Sequence, residues 1–154
     1  MSITMIDQAR IQAQMFVPLV GKLRVELGKE RADTIAREAL ADIYRQFGAR
    51  WWNARPGDNL SEKLIPLNEL FKEGNALEWT TTMQTADIYA YDVTACKYAE
   101  LFKEMGEPDI GFLMCCAQDY ALVEGFGPGV ELNRTQTIMQ GGSRCDFQFR
   151  MRKA

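Results

Sequence analysis

The chain has 154 residues, 47% apolar and 25% charged, with 3 Trp, 5 Tyr and 8 Phe, which predicts one domain and excludes disorder as its main state. Eighteen basic against 21 acidic side chains give a net charge of −3, without the basic surplus of a nucleic-acid binder. No apolar run is long enough for a membrane span, and the polar start lacks a signal-peptide core, so a cytoplasmic protein with reduced thiols is expected.

The first half reads as helices. Ile6, Ala9, Ala13, Phe16, Val20, Leu23 and Leu27 recur at steps of three and four, one helical face. Pro18 predicts a kink or break near Val17, and Gly28 a stop. A second helix is expected over 31–47, with Ala32, Ile35, Ala39, Ile43 and Phe47 inward and Gly48 ending it. Arg55-Pro56-Gly57-Asp58-Asn59 is a turn. A third helix fits 61–72, capped by Ser61, with Leu64, Leu67 and Phe71 on its face.

The period then changes to two. Leu77, Trp79 and Thr81 alternate with polar residues as a strand, and 88–93 is a second strand. Helices are expected over 94–105, ended by Gly106, and from Pro108 to about Ala121, with Ile110, Leu113, Met114 and Ala117 inward. Two strands close the chain. Val130, Leu132, Arg134, Gln136 and Ile138 share one face; Cys145, Phe147, Phe149 and Met151 share a face of the other. The order predicts a single α+β domain over 1–154. N-terminal helices pack on an antiparallel sheet of two hairpins, separated by two helices, around a small-molecule pocket.

Histidine is absent, which removes Ser-His-Asp triads, Cys-His dyads and His-bearing metal sites. Chemistry must then rest on Cys, Asp, Glu, Lys, Tyr or Arg. Arg134 falls on an apolar face, so it needs a carboxylate from the protein or a ligand, unless it snorkels to water at an edge. Cys115 and Cys116 stand four and three residues before Asp119, spacings that meet on an α-helix. Cys145 points to the apolar face of the last strand. Cys96 opens a helix, whose dipole can lower a thiol pKa. Asp92, Asp119 and Asp146 are carboxylates near these thiols that can act as a base if burial raises them. The alternation turns Asp146 away from Cys145, toward solvent. Free cysteines also commonly only pack. The four lack C-x-x-C spacing, and neither metal nor cofactor is assigned. Trp51-Trp52 is an apolar pair that suggests a homodimer.

Cys96-Lys97-Tyr98-Ala99-Glu100-Leu101-Phe102, then Gly106 and Cys116-x-x-Asp119, form one pattern. Arg134-Thr135-Gln136-Thr137-Ile138, Gly141-Gly142 and Cys145-Asp146-Phe147-Gln148-Phe149-Arg150 follow as a closing signature. Together they resemble the L-2-amino-thiazoline-4-carboxylic acid hydrolase family. The closing pattern is also similar to small-molecule-binding domains of the 4-vinyl reductase type, which are α+β and often dimeric. The resemblance implies hydrolytic opening of a cyclic isothiourea to N-carbamoyl-L-cysteine. Cys116 or Cys145 would attack the amidine carbon, Asp119 would take the proton, and Arg134 would hold the substrate carboxylate. Cys96, Tyr98 and Asp146 complete the expected substrate-binding set. Alternatively a carboxylate activates water directly while the cysteines shape the pocket or bind a metal. The competing expectation is a non-catalytic ligand-binding domain, or a thiol or metal sensor, of similar fold.

Overall fold

The protein is described by a computed structural model covering residues 2–152. The element order is α1 (Met5–Leu27), α2 (Lys29–Asn53), α3 (Leu60–Lys72), β1 (Leu77–Gln84), β2 (Ile88–Cys96), α4 (Lys97–Glu104), α5 (Pro108–Gly111), a π-helical segment (Phe112–Cys116), α6 (Gln118–Phe126), β3 (Val130–Asn133), a 3-10 turn (Ile138–Gln140) and β4 (Cys145–Met151). The four strands pair antiparallel in the order β1-β2-β4-β3. The α+β architecture expected from the sequence is therefore present.

Two expected helix boundaries move, each for a packing reason. α1 runs unbroken through Pro18. Pro18 and Gln14 both lie on the exposed side, where water can take the carbonyl that proline leaves unpaired. Gly28, at φ 82°, ends the helix as expected. α2 continues past Gly48 to Asn53. Gly48 is buried against α6, where a Cβ would lie 2.1 Å from the Leu122 carbonyl oxygen. Gly125 answers from α6, with a Cβ position 2.2 Å from the Arg45 carbonyl oxygen. The glycine thus permits a close helix crossing instead of closing a helix. Because α2 buries Ala32, Ala36 and Ala41, the expected inward Ile43 is 60% exposed, and Ala39 also faces out.

Asn59, not Ser61, caps α3: its side chain accepts from the Ser61 backbone N–H at 3.0 Å. Residues 94–96, expected to open a helix, extend β2 instead. Ala95 pairs with Glu78 and Cys96 with Leu77 across the ladder, so helix begins only at Lys97. The second hairpin is shorter than its alternation suggests. β3 stops at Asn133, and the expected strand residues Arg134, Gln136 and Ile138 lie in an irregular segment and the 3-10 turn. β4 side chains take over from the ladder there. Asp146 accepts from the Thr135 and Gln136 backbone N–H groups, and Cys145 Sγ from that of Ile138.

Tyr89, Tyr91 and Val93 of β2 stand opposite Phe149, Phe147 and Cys145 of β4, on the sheet face that meets the helices. Leu60, Leu64 and Leu67 of α3 and Leu122, Val123 and Phe126 of α6 cover this face. Burying such side chains stabilises by about 1.5–3 kcal/mol each. Trp51 and Trp52 are used within the chain. Trp51 Nε1 donates to the Lys63 carbonyl at 3.0 Å, and Trp52 stacks on Phe126 at 5.0 Å. They therefore do not supply the free apolar surface from which a dimer was expected. Among the described residues no helix is long and apolar enough to cross a membrane.

Candidate active site

Arg134, Asp119 and Cys116 come together around an ion pair, and Asp146 does not join them. Arg134 leaves β3 and turns its side chain inward, only 3% exposed. Its Nη1 donates to Asp119 of α6, and its Nη2 donates to the Cys116 carbonyl at 2.9 Å. The apolar position read for Arg134 is thus real, and a protein carboxylate is its partner. Each terminal nitrogen gives one N–H to these partners, and the other three guanidinium N–H groups have no protein acceptor among the described residues. The guanidinium also lies 5.2 Å from the Phe147 ring centre and 5.4 Å from that of Tyr120, whose hydroxyl donates to the Arg134 carbonyl.

The π segment sets where Asp119 stands. The Ala117 N–H bonds back five residues to the Phe112 carbonyl, and the buried Gln118 side chain donates to the Leu113 carbonyl at 2.7 Å. The wider turn ends at Cys116, and Asp119 still acts on the Cys115 and Cys116 thiols as their spacing suggested. Solvent still reaches the Asp119 side chain, 32% exposed. Even so, the surrounding wall dominates its ionisation: burial lifts the carboxyl to about 6, against the downward pull of Arg134.

Asp119 is the charge felt by the whole cluster. After burial it is the next cause raising the Cys116 thiol and the Tyr91 hydroxyl, and it contributes less to Cys96, Cys115 and Tyr44. Burial is the largest cause for every one of the four thiols. Cys96 is pushed up to about 11, despite accepting a 3.4 Å bond from the Ala99 N–H at the start of α4. The lowered thiol expected at that helix start is therefore reversed, because desolvation outweighs the helix end. Cys115 and Cys116 rise further. Cys145 is buried and also raised, although its sulfur accepts from the Ile138 N–H at 3.2 Å. None of the thiols is held as a thiolate near neutral pH.

Asp146 has a different place. It lies on the far side of β4 from Cys145 and anchors the loop that carries Arg134. The Thr135 and Gln136 backbone N–H groups each donate to it at 2.9 Å, and the Thr135 hydroxyl adds a further bond. Burial alone would raise its carboxyl, but these donors hold it below the ordinary value. Tyr98 packs beside Cys96 and Cys115 and donates to the Phe71 carbonyl at 3.0 Å. Among the described residues, no three Cys, Asp or Glu side chains gather as a metal-ligand set.

Three participants were missed from sequence: Tyr44, Tyr91 and Asn68. Tyr91 stacks on Phe147 at 5.1 Å, and its hydroxyl donates to Asn68 Oδ1 at 3.2 Å. Asn68 is buried on α3, and its Nδ2 has no partner among the described residues; neither has Gln118 Oε1. Asn68 lies four residues after Leu64, on the inward face of α3. A polar side chain at an inward position was the available sign.

The fold is an antiparallel α+β domain with a carboxylate–guanidinium pair set among thiols and phenols. The chain belongs to the L-2-amino-thiazoline-4-carboxylic acid hydrolase family, whose model matches residues 8–149. Among solved structures, it is similar to the phenol-responsive sensory domain of the transcription activator PoxR, crystallised with phenol. That likeness has 11% identity, a TM-score of 0.53, and covers 98% of this chain and 76% of the other. It is a likeness of fold. A search of curated proteins returns no match.

Proposed function

We propose that the protein is a hydrolase that opens a small cyclic amidine, such as L-2-amino-thiazoline-4-carboxylate, to N-carbamoyl-L-cysteine. The observation that carries this reading is Asp119: a carboxylate open to solvent, fixed by a buried arginine and raised to about 6. A base with a pKa near the working pH both holds its charge and accepts a proton well. The family description supplies the substrate class.

Water adds to the amidine carbon of the ring while Asp119 takes its proton. The new C–O bond replaces the ring C–S bond, and the sulfur leaves, taking up a proton as a thiol. Arg134 orients Asp119 throughout. The raised thiols of Cys116 and Cys145 favour this direct attack by water over a cysteine nucleophile, since a thiol so far above neutrality supplies little thiolate. On this account Cys96, Cys116, Cys145 and Tyr98 wall the pocket, and Asp146 positions the Arg134 loop.

The test is release of free thiol from L-2-amino-thiazoline-4-carboxylate. Wild type turns over, Asp119→Asn falls by about 10²–10⁴-fold, and Cys116→Ser and Cys145→Ser stay within about tenfold of wild type. Loss of turnover in one cysteine variant that still folds would restore the covalent route. A second reading, a non-catalytic binder of aromatic ligands, draws on the stacked Tyr91, Phe147 and Phe149 rings and the shared fold. It predicts ligand binding without turnover.

A further inference from the structure

The interior holds a hydrogen-bond donor that the fold leaves unused. Asn68 is 8% exposed, and its Nδ2 has no acceptor among the described residues. A buried amide donor without a partner destabilises a fold, so such groups are ordinarily paired. This one is also held in place. The Tyr91 hydroxyl donates to Asn68 Oδ1 at 3.2 Å, which fixes the amide with its N–H₂ side free.

The free donor belongs to the site just described. Tyr91 carries the connection: one end bonds Asn68, and its ring stacks on Phe147 at 5.1 Å. The Arg134 guanidinium lies 5.2 Å from the same Phe147 ring. Asn68 is thus linked to the Arg134–Asp119 pair through the Tyr91 and Phe147 rings, and both charges of the pair act on Tyr91. Arg134 has both terminal nitrogens engaged, by Asp119 and by the Cys116 carbonyl. Its other N–H groups lie beside that pair, whereas Asn68 holds a buried donor that no protein acceptor among the described residues uses.

We propose that Asn68 is the residue that recognises the ligand's carboxylate, donating from Nδ2 to one of its oxygens. The site then selects small heterocyclic acids over the same heterocycles without the acid group. This rests on the hydrolase reading for its substrate class, and it moves the expected carboxylate contact from Arg134 to Asn68. A site built to hydrogen-bond one group rejects the analogue that lacks it, because the buried donor stays unpaired. Tyr91 is a positioning residue here, since it acts through Asn68.

The experiment uses two probes without an amidine, L-thiazolidine-4-carboxylate and thiazolidine, measured by titration calorimetry on the full chain. Wild type is expected to prefer the acid by about tenfold or more, the worth of one hydrogen bond to a charged group. Asn68→Asp replaces the donor with an acceptor and is expected to abolish or reverse the preference. Asn68→Leu, matched in size, carries the same test if Asn68→Asp does not fold, and is expected to bring the two affinities within about threefold. Tyr91→Phe should give an intermediate preference, which a purely structural role would not produce. An unchanged preference in folded Asn68→Leu overturns the proposal, as does a wild type that binds neither probe or both equally. Failure of the hydrolase reading looks different: wild type prefers the acid through Asn68 but releases no thiol from L-2-amino-thiazoline-4-carboxylate.

Discussion

Removing either partner of the Arg134–Asp119 pair should destabilise the protein by unequal amounts. Losing one member of a buried ion pair costs about 3–5 kcal/mol, because the other charge stays behind. The two survivors differ. Arg134 is 3% exposed and cannot give up its proton, so after Asp119→Leu it remains a buried cation facing little but the Cys116 carbonyl. Asp119 is 32% exposed and already sits at about 6, so after Arg134→Met it escapes by taking up a proton. We therefore expect about 4 kcal/mol for Asp119→Leu and about 2 kcal/mol for Arg134→Met. At about 2–4 °C per kcal/mol for this chain length, the melting temperature falls by about 8–16 °C and 4–8 °C respectively. The double variant should fall short of the sum by about 2 kcal/mol, since it leaves no orphan charge. The pH dependence gives a further check. Without Arg134, the Asp119 carboxyl stands further above its unfolded value. A carboxyl raised by folding adds stability below its unfolded pKa and loses it as pH rises through the folded one. The Arg134→Met deficit should be smaller at pH 5 than at pH 8. Urea denaturation of the four proteins at both pH values measures this. Equal deficits for the two single variants, or a deficit that grows toward pH 5, would refute the reasoning.

Gly48→Ala and Gly125→Ala should each destabilise by about 3 kcal/mol in urea titrations, because the added Cβ meets backbone that no side-chain movement relieves. Gly28→Ala, where nothing lies within 4 Å, should be limited to the strain of its φ 82°, ψ 155° backbone, about 1–3 kcal/mol. Asp146→Ala removes the acceptor for three donors of the Arg134 loop; a stability loss of about 1–2 kcal/mol and a greater loss of kcat are expected. That stabilising contribution is present above the unfolded carboxylate pKa and is lost as pH falls through the depressed folded one, so wild type and variant should converge in acid. Alkylation of the native protein with iodoacetamide at pH 7 should be slow at all four cysteines; a fast-reacting Cys116 or Cys145 would show that an activated thiolate exists.

The elements whose period is simple were legible in the sequence. The Cys145–Phe147–Phe149–Met151 alternation became the inner face of β4, and the Leu64–Leu67–Phe71 spacing became the buried face of α3. Arg134 was legible as a charge on an apolar face needing a carboxylate. What failed depended on partners distant in the chain. Gly48 reads as a helix stop until α6 is brought against it, and Cys96 reads as helical until Leu77 pairs with it. The π turn over Phe112–Cys116 is invisible to a 3.6-residue period, so it was read as plain α-helix. The thiols looked reactive because cysteine chemistry depends on local solvation, and their desolvation arises only when α2, β2, the π segment and β4 close together. Asn68 was overlooked because one polar residue on an apolar helix face carries no motif.

The most direct test of the central claim is the pH profile of kcat/KM for wild-type hydrolysis of L-2-amino-thiazoline-4-carboxylate between pH 4.5 and 9.5. With Asp119 as the base, the rate should rise about tenfold per pH unit, bend near pH 6 and stay level to about pH 8. A profile that keeps climbing through pH 9 would assign the step to a thiolate, and a wild type without turnover at any pH would contradict the hydrolase reading.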